Sequence, residues 1–162
     1  MELRKVTEDI EALNCKVVLL DHLETKGRYL FINNQHFIFL RSDTTDIEKI
    51  NILLHEKHHL LNDDFHNSLA HIDSFSQRIE NRAEKGRILD FMSLINSEYP
   101  IDEQFNYLDY LKNAGIPSTY EVYVQEIATK FFKENKKITL SKIVLFFSIS
   151  EYFSNTWLPI LT

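Results

Sequence analysis

The stretch ILLHEKHHLLNDD, residues 52–64, holds three of the chain's seven histidines, and a glutamate lies among them. It satisfies the pattern H-E-x-x-H with His55, Glu56 and His59. Positions i and i+4 of a helix project from one face, so these two imidazoles can reach a single Zn²⁺ ion. Glu56 lies at the edge of that face, where it can contact a water molecule instead of the metal. The stretch therefore predicts either a metal-binding helix or a polar helix that is rich in histidine.

The hydrophobic pattern around the motif predicts a helix over residues 45–62, as a paired-histidine metal site requires. Thr45 and Glu48 fit a capping box at its start. Its predicted inner positions are Ile47, Ile50, Leu54 and Leu61.

A second helix is predicted to begin at the capping-box pattern from Ser74 to Gln77 and to run for about five turns. Gly86 within it costs about 1 kcal/mol relative to alanine, so we expect it to permit close packing. Glu80 and Glu84 lie on this helix, and either can supply the carboxylate of a His₂Glu zinc site. The predicted inner positions are Ile79, Ala83, Leu89 and Met92.

The residues before the motif predict one short helix and three strands. The helix covers 6–14, with Thr7 as its cap, and a strand follows over 15–20. The runs 28–32 and 36–40 flank Asn-Asn-Gln and predict a β-hairpin. Because helices follow the strands, the sequence predicts an α+β fold. We expect a small antiparallel sheet or hairpin packed on the H-E-x-x-H helix, in the manner of zincins, followed by a helical C-terminal half.

The C-terminal half is predicted to be helical over 103–113, after a cap at Asp102, and over 119–135, followed by an aromatic tail. We expect a zincin-like core over residues 1–100, which contains the H-E-x-x-H helix, and a helical subdomain over 101–162 packed on that core. The aromatic residues between positions 146 and 157 favour core packing and also fit a homodimer or partner surface.

The composition narrows the classes of partner. The 162 residues carry a net charge of −6, which gives no general attraction for nucleic acid or anionic membranes. Residues 108–127 have helix-turn-helix spacing, but Glu121 and Glu126 lie where a DNA reader needs basic or amide side chains. Cys15 is the only cysteine, which excludes an internal disulfide and a cysteine-based zinc site. Without a signal-peptide pattern or a membrane-length apolar run, we expect a cytoplasmic protein without membrane or direct nucleic-acid binding.

Two segments together carry a family resemblance. EKINILLHEKHHLL (48–61), followed by RIENRAEKGRILDFM (78–92), resembles the ImmA/IrrE metallopeptidases, cytoplasmic zinc proteins of phages, integrative elements and bacteria. In that family a later helix carries E-x-x-A, whose Glu is the third ligand, and E-N-R-A matches it with Glu80 and Ala83. The likeness extends loosely over residues 10–135. The chain departs from the family at His58, where Gly or Ser is frequent, and at LDFMS, where Leu-Leu-Met-Pro is usual.

The resemblance implies a gluzincin-like zinc metallopeptidase with His55, His59 and Glu80 as ligands and Glu56 as the general base. Its implied substrate is a helix-turn-helix repressor of a phage or mobile element, whose cleavage relieves repression. Mn²⁺ or Fe²⁺ could occupy the same ligands. Two alternatives stay open: a non-proteolytic regulator that binds a repressor or antirepressor through a metal-stabilised scaffold, and a toxin–antitoxin or host-interaction component.

Overall fold

The computed structural model describes the backbone of residues 2–66 and 73–156, and the side chains of 2–65 and 73–143. Over this part of the chain it contains five α-helices and one three-stranded sheet, which confirms the predicted α+β class. The chain divides into two compact units, Met1–Ile95 and Asn96–Thr162.

The elements of the first unit follow the predicted order. They are α1 (Leu3–Glu11), β1 (Cys15–Leu20), β2 (Gly27–Ile32), β3 (Gln35–Arg41), α2 (Asp46–Leu61), a 3₁₀ turn (Asp64–His66) and α3 (Asp73–Glu98), whose last turn reaches the second unit. The H-E-x-x-H motif lies on α2 and the E-x-x-A motif on α3.

The sheet has the order β1–β3–β2 and is mixed, so the prediction of an antiparallel sheet is only partly correct. β2 and β3 form the predicted antiparallel hairpin. Its turn residues Asn33 and Asn34 have φ angles of 50° and 62°, the left-handed conformations that a two-residue hairpin requires. β1 pairs with β3 in parallel because the chain passes from β1 to the opposite edge before it returns through the centre.

Helix α2 is buried on a face rotated from the predicted one. The predicted inner residues Ile47 and Leu61 are 59% and 54% exposed, whereas Ile50 and Leu54 are buried as expected. Leu53, which the prediction omitted, is completely buried. The buried face differs because tertiary packing determines it. α2 packs on both α1 and β2, and the residues that face these two elements are buried.

The predicted caps have different outcomes. Thr45 and Glu48 form the predicted reciprocal capping box at the start of α2. The predicted cap at Thr7 is wrong, because α1 already begins at Leu3 and the Thr7 hydroxyl donates to the Leu3 carbonyl inside the helix. The helix ends at Glu11 and not at residue 14.

Helix α3 is longer than predicted, with 26 residues, and brings its middle against α2. Ile79, Ala83 and Met92 are buried as predicted, whereas Leu89 is exposed. A Cβ atom at Gly86 would overlap the imidazole ring of His58, so the expected close packing at this glycine is confirmed.

The second unit is helical. Helix α4 (Tyr107–Asn113) is capped by Asn106, whose side chain accepts from the Leu108 and Asp109 amides. The predicted start at 103 is wrong, because Asp102 accepts from the Gln104 amide in a preceding turn instead of capping a helix. A 3₁₀ turn (Ser118–Tyr120) then leads into α5 (Glu121–Thr156).

Helix α5 covers the predicted helix over 119–135 except for its first two residues, which lie in the 3₁₀ turn, and it continues through much of the tail. Side chains from position 144 onward lie outside the described residues. They include the aromatic residues between positions 146 and 157, for which the sequence favours core packing and also fits a homodimer or partner surface. In the described part of the chain, no helix has the length and apolar character needed to cross a bilayer.

Candidate metal centre

Three predicted ligands from two helices meet at one point of the first unit. The Nε2 atoms of His55 and His59 on α2 are 3.2 Å apart. From α3, the Glu80 carboxylate lies 3.3 Å from His55 Nε2 and 3.7 Å from His59 Nε2. One potential ligand atom from each of the three residues lies within 4.8 Å of the other two. The side chains therefore converge instead of pointing apart.

The surroundings of the two imidazoles fit a metal site. The opposite ring nitrogen of His55, Nδ1, lies 3.3 Å from Glu84, and Nδ1 of His59 lies 3.0 Å from Asp64. An imidazole that donates from Nδ1 to a carboxylate presents the lone pair of Nε2 to a metal. Two imidazole nitrogens and one carboxylate are a donor set that zinc uses with an open fourth position. The residues present fit zinc.

The candidate ligands His55, His59 and Glu80 form the ligand group. Glu56 lies beside this group and is not part of it. The Tyr29 backbone amide of β2 donates to Glu56 Oε2 at 2.8 Å, which ties the carboxylate to the edge strand of the sheet. Burial raises the pKa of Glu56, and the opposing effect of the charges on His55 and His59 is smaller. A carboxylate with a raised pKa is a better proton acceptor near neutral pH.

The carboxylates around the imidazoles control their protonation. Burial lowers the pKa of His55, but the hydrogen bonds to Glu80 and Glu84 outweigh it and raise the pKa to about 9. The pKa of His59 is also raised, because Glu80 and Asp64 outweigh burial. The pKa of the Glu80 carboxyl is held well below its usual range by hydrogen bonds from the two imidazoles. Without a metal, the nearby carboxylates therefore favour the protonated form of His55 at neutral pH.

Zinc binding is expected to release about one proton per ion from His55 at pH 7. His55, whose pKa is raised to about 9 in the metal-free protein, is protonated at pH 7 and must lose that proton to become a ligand. Apparent zinc affinity should therefore rise between pH 7 and pH 9, while proton release falls. Calorimetric titration with zinc in buffers of different ionisation enthalpy measures the number of protons. A release of zero protons at pH 7 would contradict the raised pKa of His55 in the metal-free protein.

A cleft of about 450 Å³ opens beside these side chains. Its wall includes the edge strand β2 and an apolar surface that contains the half-exposed ring of Phe65, which packs on Phe31 with ring centroids 5.6 Å apart. The residues around the cleft are Arg28, Tyr29, Leu30, His55, Glu56, His59, Asp64, Phe65, Ser76, Ile79 and Glu80. The proposed ligands and base are therefore accessible from a space large enough for part of a peptide.

The third histidine of the motif segment has a different environment. His58 Nε2 lies 3.2 Å from Asp90, and Lys57 donates to the same carboxylate at 2.7 Å. The His58 ring also covers Gly86. These contacts join α2 to α3, so His58 is a packing residue outside the ligand group.

The sequence did not predict that carboxylates contact Nδ1 of the two imidazoles. The sequence pattern indicates Glu84 only as an alternative ligand and predicts no role for Asp64. Two signals were available in the sequence. Glu84 lies four positions after the candidate ligand Glu80, and Asp64 lies shortly after the H-E-x-x-H helix. Which ring nitrogen each carboxylate contacts depends on the packing of α3 and of the turn after α2, which spacing does not specify.

No protein-family model matches the chain, and neither a curated protein nor a solved structure is significantly similar to it. The resemblance to the ImmA/IrrE family therefore rests on its two short motifs and the loose likeness around them.

Proposed function

We propose that this protein is a zinc-dependent metalloendopeptidase, with His55, His59 and Glu80 as zinc ligands and Glu56 as the general base. The observation that carries the proposal is the convergence of the three ligand side chains on one point, with Glu56 fixed beside them. On a polar helix that is only rich in histidine, the two imidazoles would face solvent. Here both Nε2 atoms face the Glu80 carboxylate of another helix.

The chemistry follows from the side chains. Zinc, when bound, supplies Lewis acidity that activates water near neutral pH and polarises a carbonyl. Glu56 accepts the proton from the attacking water and transfers it to the leaving amine. The Tyr29 amide keeps the Glu56 carboxylate in place, and burial raises its pKa toward the range that suits both proton transfers.

The proposed substrate is an extended peptide segment. β2 is an edge strand, and Arg28, Tyr29 and Leu30 of this strand border the cleft that contains the ligands. A peptide can align along such an edge by adding a further strand, with its side chains received by the apolar wall. Flexible segments of a folded protein meet this requirement better than its helices do.

The proposed target is a helix-turn-helix repressor of a phage or mobile element, and cleavage would relieve repression. The support for this target is the resemblance of the two motifs to the ImmA/IrrE family. The net charge of −6 is consistent with a protein partner in place of DNA.

The test is cleavage of a purified candidate helix-turn-helix repressor. The purified protein is stripped with a chelator, divided, and incubated with the repressor either with or without added zinc. We expect one defined pair of fragments by mass spectrometry with zinc and intact repressor without it. Cleavage that persists without metal would contradict the proposal. A stable complex with no fragments under any condition would favour the non-proteolytic regulator.

A further inference from the structure

We propose that Glu84 and Asp64 are positioning residues, each of which orients one imidazole ligand and is itself held by an arginine of α3. The inference rests on the zinc site of the proposed function, and it extends that site beyond its three ligands and its base. In this proposal Glu84 orients His55, and Asp64 orients His59.

The first pair, His55 and Glu84, is half-buried and joins α2 to α3. Glu84 Oε2 lies 3.3 Å from His55 Nδ1, and Arg87 donates to both oxygens of the same carboxylate at 2.8 and 2.5 Å. A third donor of Arg87 reaches the Asn51 side chain, one turn before His55 on α2. The guanidinium therefore joins the helix of the ligand to the carboxylate that orients it. Two-point contact between arginine and a carboxylate fixes direction as well as distance.

The second pair lies at the end of the motif helix. Asp64, in the turn after α2, lies 3.0 Å from His59 Nδ1 and is almost completely buried. Arg82 donates to the other oxygen of Asp64, while its side chain is 51% exposed. A buried carboxylate with a hydrogen-bond partner on each oxygen has little freedom to rotate.

Charge and geometry explain why arginines are needed. The two imidazoles are surrounded by the carboxylates of Glu80, Glu84 and Asp64, whose mutual repulsion would otherwise spread them apart. Arg82 and Arg87 place a positive charge on the far side of the two carboxylates that are not ligands. The pairs thereby keep each Nδ1 hydrogen bond and leave both Nε2 atoms directed at Glu80.

The decisive comparison is between two glutamates one helical turn apart on α3. We expect Glu84→Gln to retain one zinc per chain with affinity reduced about 10- to 100-fold, as is typical for loss of a carboxylate behind a ligand. We expect Glu80→Gln, which alters the proposed ligand itself, to bind no stoichiometric zinc. Both affinities are measured with zinc alone by competition with a chromogenic chelator at fixed pH.

A second pair of variants separates positioning from folding. Asp64→Asn keeps an oxygen that can accept from His59 Nδ1, whereas Asp64→Ala removes it. We expect the asparagine variant to bind zinc more tightly than the alanine variant and less tightly than the wild type. Metal-free melting temperature and far-ultraviolet circular dichroism establish that the variants are folded. The visible spectrum of the cobalt-loaded proteins reports whether the ligand geometry has changed.

The outcomes are distinguishable. If the wild type binds no zinc, both the proposed function and this inference are overturned. If Glu80→Gln loses zinc while Glu84→Gln and Asp64→Ala bind it as the wild type does, only the positioning role fails. If Glu84→Gln loses zinc as completely as Glu80→Gln, Glu84 is a ligand and its assignment here is wrong.

Discussion

Replacement of Glu56 with glutamine is expected to slow peptide hydrolysis about 100- to 10,000-fold while zinc binding is retained, because the variant lacks only the proton acceptor. The glutamine oxygen can still accept from the Tyr29 amide, which is the contact that holds Glu56 against β2. The shape of the cleft should therefore persist. The measurement is the single-turnover rate of repressor cleavage, alongside zinc content and melting temperature.

The same variant separates the two main functional hypotheses. If the protein is a peptidase, Glu56→Gln should bind the repressor without cleaving it, and the repressed genes should stay silent in cells. If the protein acts by binding alone, induction should survive the substitution. Cleavage by Glu56→Gln at the wild-type rate would show that Glu56 is not the base.

Replacement of His55 with alanine is expected to abolish stoichiometric zinc binding. His55 supplies one of two imidazole nitrogens, and it also contacts both Glu80 and Glu84. A ligand that binds only the folded state stabilises it by about 4 kcal/mol at a free concentration 1,000 times its dissociation constant. Zinc should therefore raise the melting temperature of the wild type and leave that of His55→Ala unchanged. Elemental analysis and thermal unfolding with and without zinc measure both effects.

The chain offers a matched control for this experiment. His58 lies on the same helix, but its ring contacts Asp90 and covers Gly86 instead of joining the ligand group. His58→Ala should retain one zinc ion and a zinc-dependent rise in melting temperature, even if its metal-free form is less stable. Retention of one zinc ion by His55→Ala, or its loss from His58→Ala alone, would refute the assignment of ligands.

Local sequence signals predicted the elements that carry the site. The Thr45 capping box placed the start of α2 correctly, since its two hydrogen bonds involve residues only three positions apart. The Asn33–Asn34 pair correctly predicted the turn of the hairpin, because asparagine tolerates the left-handed conformation that both positions adopt. The i, i+4 spacing then brought His55 and His59 to one face. These features depend on neighbours along the chain.

Features that depend on distant neighbours were predicted less well. The parallel pairing of β1 with β3 has no local signature, because it arises from the path of the chain across the sheet. The exposed Ile47 and Leu61 show that helical periodicity cannot specify which face tertiary packing will bury. The choice of Glu80 over Glu84 as the third ligand came from the family resemblance, since both lie on one face of α3.

Gly86 limits how this protein can be engineered. Replacing helical glycines with alanine is a common way to stabilise proteins, since it restricts the unfolded chain and improves helix propensity by about 1 kcal/mol. At this position the added methyl group would overlap the His58 ring, and that ring would have to shift from its contact with Asp90. The contact joins the helix that carries the two imidazoles to the helix that carries Glu80. A library built on this rule should therefore leave Gly86 unchanged.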